Sequence, residues 1–230
     1  MNTIAKVLNF IRGEIGTVEK GGANNVIYNR VYYGKTVIGS AYAWCCVFVW
    51  YVMNVLGMGK LFYDGRKTAS CGTLWKWAKG KGQVIPVSEA QAGDWVEFTF
   101  NGVKHAHIGI CVGKDKTGTT LYMVEGNTSR LNSIGSQTNG DGVYFKKRPI
   151  SQVFCVIRPK YDSAPIRQVH TIREITVWSC PAKLDACRVK VIPKDYGVQV
   201  YDELIESFSG EGDYFFRTIK GAYVLAKYCV

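Results

Sequence analysis

Four side chains in the first 130 residues have the types needed for nucleophilic attack on a carbonyl group. Cys45 follows Tyr42-Ala43-Trp44 at the predicted start of an apolar helix. A thiol at a helix N-terminus faces unpaired N–H groups and the positive end of the dipole, and both favour the nucleophilic thiolate. A free cysteine is only slightly ionised at neutral pH, so it needs a base, and His107 is the best candidate.

A third polar group is needed to orient the imidazole of such a base. Glu125 and Asn127 lie two residues apart on a predicted strand, so both side chains should leave the same face. Either of them could form a hydrogen bond with the second imidazole nitrogen of the base. His105 lies on the same predicted strand face as His107 and competes for the role of base. An isolated cysteine at a helix start is also compatible with a small buried residue that does no chemistry.

The elements that must position these side chains are helices first and short strands afterwards, which is typical of the α+β class. Apolar spacing predicts helices near the N-terminus, at 44–56 and at 70–79, with a glycine-rich loop over 16–39. The predicted strands cover 94–100, 106–112, 119–124, 143–147 and 154–158.

The proline-containing segment 158–165 reads as a linker to a second, smaller domain. Beyond it, short strands are predicted at 172–178, 189–192, 197–204, 214–220 and 222–228, which has the size of a small β-barrel. We therefore expect a first domain over 1–160, a linker over 161–168 and a second domain over 169–230.

The chain of 230 residues is basic, with 29 Lys and Arg against 18 Asp and Glu and a formal charge of +11. Residues 1–162 carry 20 of the basic and 10 of the acidic side chains, and Lys146-Lys147-Arg148 are among the candidates for a basic face. Such a surface attracts polyanions: nucleic acid, anionic lipid or phosphate polymers of bacterial walls. The alternative to an enzyme is a basic binding protein, in which Trp75-Lys76-Trp77 stacks bases.

Two features bear on membranes and compartment. The segment 37–56 has no charge, but its predicted helix of about 20 Å is shorter than the ~30 Å hydrocarbon core, so we expect a buried helix. The N-terminus lacks a signal-peptide pattern, which predicts that the protein is made and kept in the reducing cytosol. We therefore expect most of the eight cysteines to be small core residues, with no disulfide framework and no zinc site.

Four segments together resemble the CHAP family, the cysteine- and histidine-dependent amidohydrolases/peptidases, over roughly residues 10–160. They occur in the family's order: Ala43-Trp44-Cys45-Cys46-Val47-Phe48-Val49-Trp50, Gly93-Asp94-Trp95-Val96-Glu97-Phe98, His107-Ile108-Gly109-Ile110 and Glu125-Gly126-Asn127-Thr128. The resemblance implies a papain-like α+β fold, with helices packed on an antiparallel sheet, that cleaves amide bonds of peptidoglycan.

The resemblance also implies roles for individual residues. Cys45, directly after the tryptophan, is the nucleophile, whereas Cys46 points into packing. His107 rather than His105 is the base, and Glu125 and Asn127 match the two following polar positions without a ranking between them. We expect Tyr42, Trp44 and Trp75 to contact the substrate.

Some relatives bind calcium before the nucleophile, but the matching segment 22–35 has no Asp or Glu, so we expect neither metal nor cofactor. The C-terminal segment resembles a bacterial SH3-like wall-binding module. The leading hypothesis is a phage-type endolysin for Gram-positive walls, kept in the host bacterial cytoplasm until release. Its expected partners are peptidoglycan and anionic wall polymers, with no nucleic acid, no stable membrane insertion and a monomeric state.

Overall fold

The computed structural model describes residues 1–130 and 136–230, and these form four α-helices and two antiparallel sheets. The helices are α1 (Ile4–Glu14), α2 (Ile27–Tyr33), α3 (Cys45–Val55) and α4 (Cys71–Gly80). The strands of the first sheet are β1 (Val84–Ile85), β2 (Trp95–Phe100), β3 (Val103–Lys114), β4 (Thr120–Thr128), β5 (Gly142–Pro149) and β6 (Val153–Ile157). Those of the second are β7 (Ile166–His170), β8 (Ile175–Trp178), β9 (Arg188–Ile192), β10 (Gly197–Glu206), β11 (Tyr214–Thr218) and β12 (Tyr223–Leu225).

The first sheet has the strand order β1-β6-β2-β3-β4-β5, and the helices cover one of its faces. Helix α3 packs directly on β3 and β4 in the middle of this face. The α+β class predicted from the sequence is therefore confirmed, and α3 is the central helix of the domain.

Helix α3 is apolar around its whole circumference because it is buried on nearly all sides. Its close approach to β4 depends on Gly126, where an added Cβ would lie 2.6 Å from the Trp44 ring and 2.8 Å from Phe48 Cβ. None of the helices formed by the described residues has the length and apolar character needed to cross a membrane.

The second sheet has the order β7-β10-β11-β12-β8-β9. Its end strands β7 and β9 do not pair with each other among the described residues, so the sheet does not close into the expected barrel. Strand β7 begins at Ile166 and pairs with β10, so residues 158–165 connect the two sheets and β7 occupies the last three positions of the predicted linker 161–168.

The second sheet packs on the first domain instead of lying apart from it. Asn9 in α1 donates its amide N–H to the Leu204 carbonyl and accepts from the Glu206 N–H, at 2.9 Å each. Arg12 forms an ion pair of 2.8 Å with Glu206. These contacts place α1 between the two sheets, and side chains of both sheets contribute to one continuous apolar core.

A disulfide joins Cys180 and Cys187, a pair that the expectation of a chain without a disulfide framework did not foresee. The two cysteines are seven positions apart in the sequence, and the turn between β8 and β9 brings them together. The pair packs against β3, where an added Cβ on Gly113 would lie 2.6 Å from Cys180 Cβ. The six remaining cysteines are free, and among them Cys45 and Cys71 lie at helix starts.

Candidate active site

Cys45 is the first residue of α3, and the residue before it, Trp44, is the N-cap. No described side chain hydrogen-bonds to the backbone as a cap there, and the first N–H groups of a helix have no intrahelical acceptor. The Cys45 backbone N–H therefore remains a donor beside its own sulfur. The side chain is almost closed off, with the residue 6% exposed.

His107 on β3 and Glu125 on the adjacent strand β4 form a fully buried pair. Nε2 of His107 lies 3.0 Å from Oε2 of Glu125. Glu125 reaches across β3 over Gly109, where an added Cβ would lie 2.5 Å from Glu125 Cγ. A side chain at that position would push the carboxylate away, so the glycine permits the pair.

Arg148 on β5 holds Glu125 from the other side. Its Nε donates to Oε1 at 2.8 Å and its Nη2 donates to Oε2 at 2.5 Å, which is a two-point clamp on the carboxylate. The guanidinium also lies over the rings of Phe98 and Phe100, at 5.7 and 5.0 Å. Sequence reasoning placed Arg148 on a solvent-facing basic surface, but the residue is only 2% exposed.

The charges of Glu125, Arg148 and His107 determine the protonation states of Glu125 and His107. Burial alone would raise the pKa of Glu125, yet the hydrogen bonds and charges of Arg148 and His107 lower it to about 2. Burial opposes the imidazolium of His107, but hydrogen bonds to Cys45 and Glu125 and their negative charges raise its pKa to about 9. Glu125 is thus a fixed anion that favours a positively charged His107.

Cys45 interacts with His107, and this contact decides how its proton leaves. The neighbouring Cys71 thiol and burial raise the pKa of Cys45, whereas the hydrogen bond and charge of His107 lower it. The negative charge of Glu125 and the positive charge of Arg148 already cancel. Moving the proton from the Cys45 sulfur to the His107 imidazole therefore keeps the buried site neutral overall. The positive end of the helix is therefore not sufficient to ionise the Cys45 thiol, whose pKa stays raised.

The second nitrogen of His107 is available for that transfer. Nε2 lies 3.0 Å from the Glu125 carboxylate, and both ring nitrogens are buried without a hydrogen bond of good geometry among the described residues. The arrangement therefore runs from sulfur to imidazole to carboxylate to guanidinium, with Nδ1 left for Cys45.

Asn127 is buried but does not join this row. Its φ of 59° lies in the left-handed region and breaks the alternation of β4, which also loses register with β5 between Glu125 and Thr128. Its side-chain N–H donates to the Thr138 carbonyl at 3.0 Å. Of the two predicted partners of the imidazole, Glu125 is the one that lies beside His107, whereas the Asn127 amide is directed to the Thr138 carbonyl.

His105 forms a separate pair with a different carboxylate. Its φ of 57° turns it away from the regular strand, and its Nδ1 lies 2.6 Å from Oε2 of Glu97. Burial raises the pKa of Glu97 to about 8. The His105 ring packs on Trp75 and Phe154, with centroid distances of 4.9 and 4.2 Å. The two histidines of β3 therefore have different partners.

The three residues expected to contact substrate lie in different environments. Trp44 is fully buried and its indole N–H donates to Glu19 at 2.8 Å, so its side chain packs in the core and lines no surface. Tyr42 is half-buried against Tyr33, at 5.1 Å between ring centroids. Trp75 is half-buried beside His105 and remains available to a ligand.

Metal ligands do not gather anywhere in the part of the chain that the structure describes. No group of three or more His, Cys, Asp and Glu side chains there has the arrangement of a metal site. Before the nucleophile, the Glu19 carboxylate accepts from the Asn24 backbone N–H at 2.9 Å and from the Trp44 indole. That carboxylate is engaged by internal donors.

One family model matches the part of the chain that contains most of these residues. The family model of the CHAP domain matches residues 37–127, a range that contains Cys45, His107 and Glu125 and ends before Arg148. No curated protein matches the chain.

Several solved structures are similar to the chain at 18% identity. A crystal structure of Ly7917 has a TM-score of 0.38 and covers 97% of this chain and 92% of that one. A crystal structure of Ly7917 with the hydrolyzing product of MDP has the same coverage and a TM-score of 0.37. A wild type endolysin, LysIME-EF1, has a TM-score of 0.42 over 70% of this chain and 66% of its own. The family match shows that the chain carries a CHAP domain at residues 37–127.

Proposed function

We propose that the chain is a peptidoglycan hydrolase of the endolysin type, which cleaves an amide bond of Gram-positive walls with a cysteine nucleophile. The observation that carries this proposal is the buried row formed by Cys45, His107, Glu125 and Arg148 within and beside the CHAP domain. A thiol, a base and a group that orients the base are the parts that acyl transfer requires.

In the first half of the reaction, Cys45 transfers its proton to His107 Nδ1 and its sulfur attacks the amide carbonyl carbon. The backbone N–H of Cys45 donates to the developing oxyanion, because the start of α3 leaves this donor unpaired. Collapse of the tetrahedral intermediate expels the amine, which takes the proton from His107. A thioester on Cys45 remains.

In the second half, a water molecule gives its proton to His107 and attacks the thioester carbonyl. The products are the free carboxylate and the Cys45 thiol. Glu125 stays ionised throughout because its pKa is about 2, and it stabilises the imidazolium in both halves. Arg148 keeps the carboxylate in place and offsets its charge in the buried site.

The second domain and the charge of the chain supply the proposed wall targeting. We assign the second sheet as a divergent SH3-like wall-binding module, packed on α1. The formal charge of +11 favours a layer rich in anionic wall polymers. Trp75 and Tyr42, both half-buried, are the aromatic side chains that we assign to substrate contact.

Digestion of purified Gram-positive peptidoglycan tests this function. The fragments are separated and analysed by mass spectrometry for new amino and carboxyl ends, which also identify the amide bond that is cut. We expect soluble fragments with one new amine for each new carboxylate. Salt-sensitive binding to wall polymer or DNA with no new fragment ends would contradict the proposal and favour a binding protein.

A further inference from the structure

A second thiol lies against the proposed nucleophile. The sulfur of Cys71 is 3.9 Å from the sulfur of Cys45. Cys71 is the first residue of α4 and Cys45 is the first residue of α3, so two helix N-termini meet at the two sulfurs. Both positive helix ends favour negative charge on sulfur, which is the reactive form of a thiol. The reaction described above makes no use of Cys71.

The neighbourhood of the pair favours small reagents over large ones. Cys45 and Cys71 are each only 6% exposed, which hinders bulky disulfide reagents and leaves a small oxidant such as a peroxide as the favoured reagent. Cys46, the third thiol nearby, is fully buried and its S–H donates to the Thr68 carbonyl at 3.4 Å. Of these thiols, Cys45 is also the one in contact with a base, His107.

We propose that Cys45 and Cys71 form a reversible oxidation site, in which Cys71 resolves the oxidised nucleophile as a disulfide. The Cys45 thiolate attacks one oxygen of a peroxide, the O–O bond breaks, and Cys45 becomes a sulfenic acid while the other oxygen leaves as water or alcohol. The Cys71 sulfur then attacks the Cys45 sulfur, the S–O bond breaks, and water leaves with the Cys71 proton. Two thiols are oxidised and one peroxide is reduced.

The step needs little movement. A disulfide has its sulfurs about 2 Å apart, so closure from 3.9 Å requires the two sulfurs to approach by about 2 Å. The disulfide would remove the nucleophile and protect it from irreversible over-oxidation to sulfinic acid. The expected loss of hydrolysis on oxidation rests on the proposed function, whereas formation of the disulfide does not depend on that function.

The test treats the reduced full-length protein with a small excess of hydrogen peroxide and then blocks free thiols with an alkylating agent. Peptide mapping is expected to find the Cys45 and Cys71 peptides joined, at two hydrogen masses below their sum. Wall clearing should fall in proportion to this joined fraction, and dithiothreitol should restore both. Absence of the joined peptide would overturn the proposal whether or not the protein clears walls.

Two serine variants complete the test, each compared with its own reduced state. Cys71→Ser keeps a polar group beside Cys45 but cannot form the disulfide, so peroxide should convert Cys45 to sulfinic acid and dithiothreitol should restore little activity. Cys46→Ser, the matched control, should behave as the wild type does. Full recovery of Cys71→Ser, or a joined peptide that contains Cys46 in place of Cys45, would contradict the assignment.

Discussion

The carboxylate of Glu125 lies 3.0 Å from Nε2 of His107, and both side chains are completely buried. Two residues further along the same strand, Asn127 turns to a backbone carbonyl instead. The buried carboxylate is in turn clamped by Arg148, so the charge that faces the histidine is fixed in position and in sign. This relationship determines the protonation state of His107, the proposed base.

Replacement of Glu125 by Gln should move the alkaline limb of the pH–rate profile to lower pH. His107 has a raised pKa of about 9, so activity should fall as pH rises through about 9 and the leaving amine loses its proton donor. Removing the negative charge of Glu125 removes part of what raises this pKa. The measurement is kcat/KM for wall hydrolysis against pH. Asn127→Ala is the matched control and should leave the limb in place; an unmoved limb in Glu125→Gln would contradict the assignment.

Replacement of Arg148 by Met should destabilise the fold, because it leaves the buried Glu125 charge without its partner. We expect a loss of about 3–5 kcal/mol in the free energy of unfolding at pH 7, measured by chemical denaturation. Lys147→Met, next to it but exposed, should change the free energy by less than about 0.5 kcal/mol. Equal effects of the two variants would show that the clamp adds no stability.

The pH dependence of that difference has a defined sign. The pKa of Glu125 is lowered from its ordinary value of 4.5 to about 2, so the clamp contributes stability above pH 4.5 and loses it as pH falls through about 2. The gap in unfolding free energy between wild type and Arg148→Met should therefore narrow towards pH 2. A gap that widens on acidification would contradict the ion pair.

The two histidines of β3 should differ sharply in their effect on hydrolysis. His107→Asn removes the proposed base and should lower kcat by about 10²–10⁴-fold. His105→Asn should lower it by less than about tenfold, because His105 pairs with Glu97 and asparagine tolerates its left-handed backbone. Measured kcat values for the two variants decide between them. The reverse order of effects would make His105 the base.

Hydrolysis should survive removal of divalent cations. The segment 22–35 supplies no carboxylate, and the nearby Glu19 accepts hydrogen bonds from Asn24 and Trp44. Hard cations require charged oxygen ligands, so we expect the rate of wall clearing to be unchanged in excess EDTA. Loss of clearing in EDTA with recovery on added calcium would refute this expectation.

The elements that hold the nucleophile could be predicted from sequence because apolar spacing determines them locally. Helix α3 was expected at 44–56 and spans Cys45–Val55, and α4 was expected at 70–79 and spans Cys71–Gly80. Ser70 caps α4 by accepting from the Thr73 N–H at 3.2 Å, which is a local interaction that sequence can predict. Helix α2 was missed because glycines on both sides made 16–39 read as a loop.

The remainder of the site depends on contacts that spacing does not encode. Arg148 reaches Glu125 from 23 positions away, and the basic run around it suggested a solvated surface. Strand alternation was the signal that could have found it, since it places Lys146 and Arg148 on one face and Lys147 on the other. The left-handed backbone at Asn127 interrupts the strand, and alternation along a regular strand does not predict it.

The central claim is that the Cys45 sulfur is the nucleophile, and one pair of variants tests it most directly. Purified Gram-positive peptidoglycan is digested with the wild type, Cys45→Ala and Cys46→Ala, and new fragment ends are counted by mass spectrometry. We predict fragments from the wild type and from Cys46→Ala, and none from Cys45→Ala. Fragments released by Cys45→Ala at the wild-type rate would contradict the account.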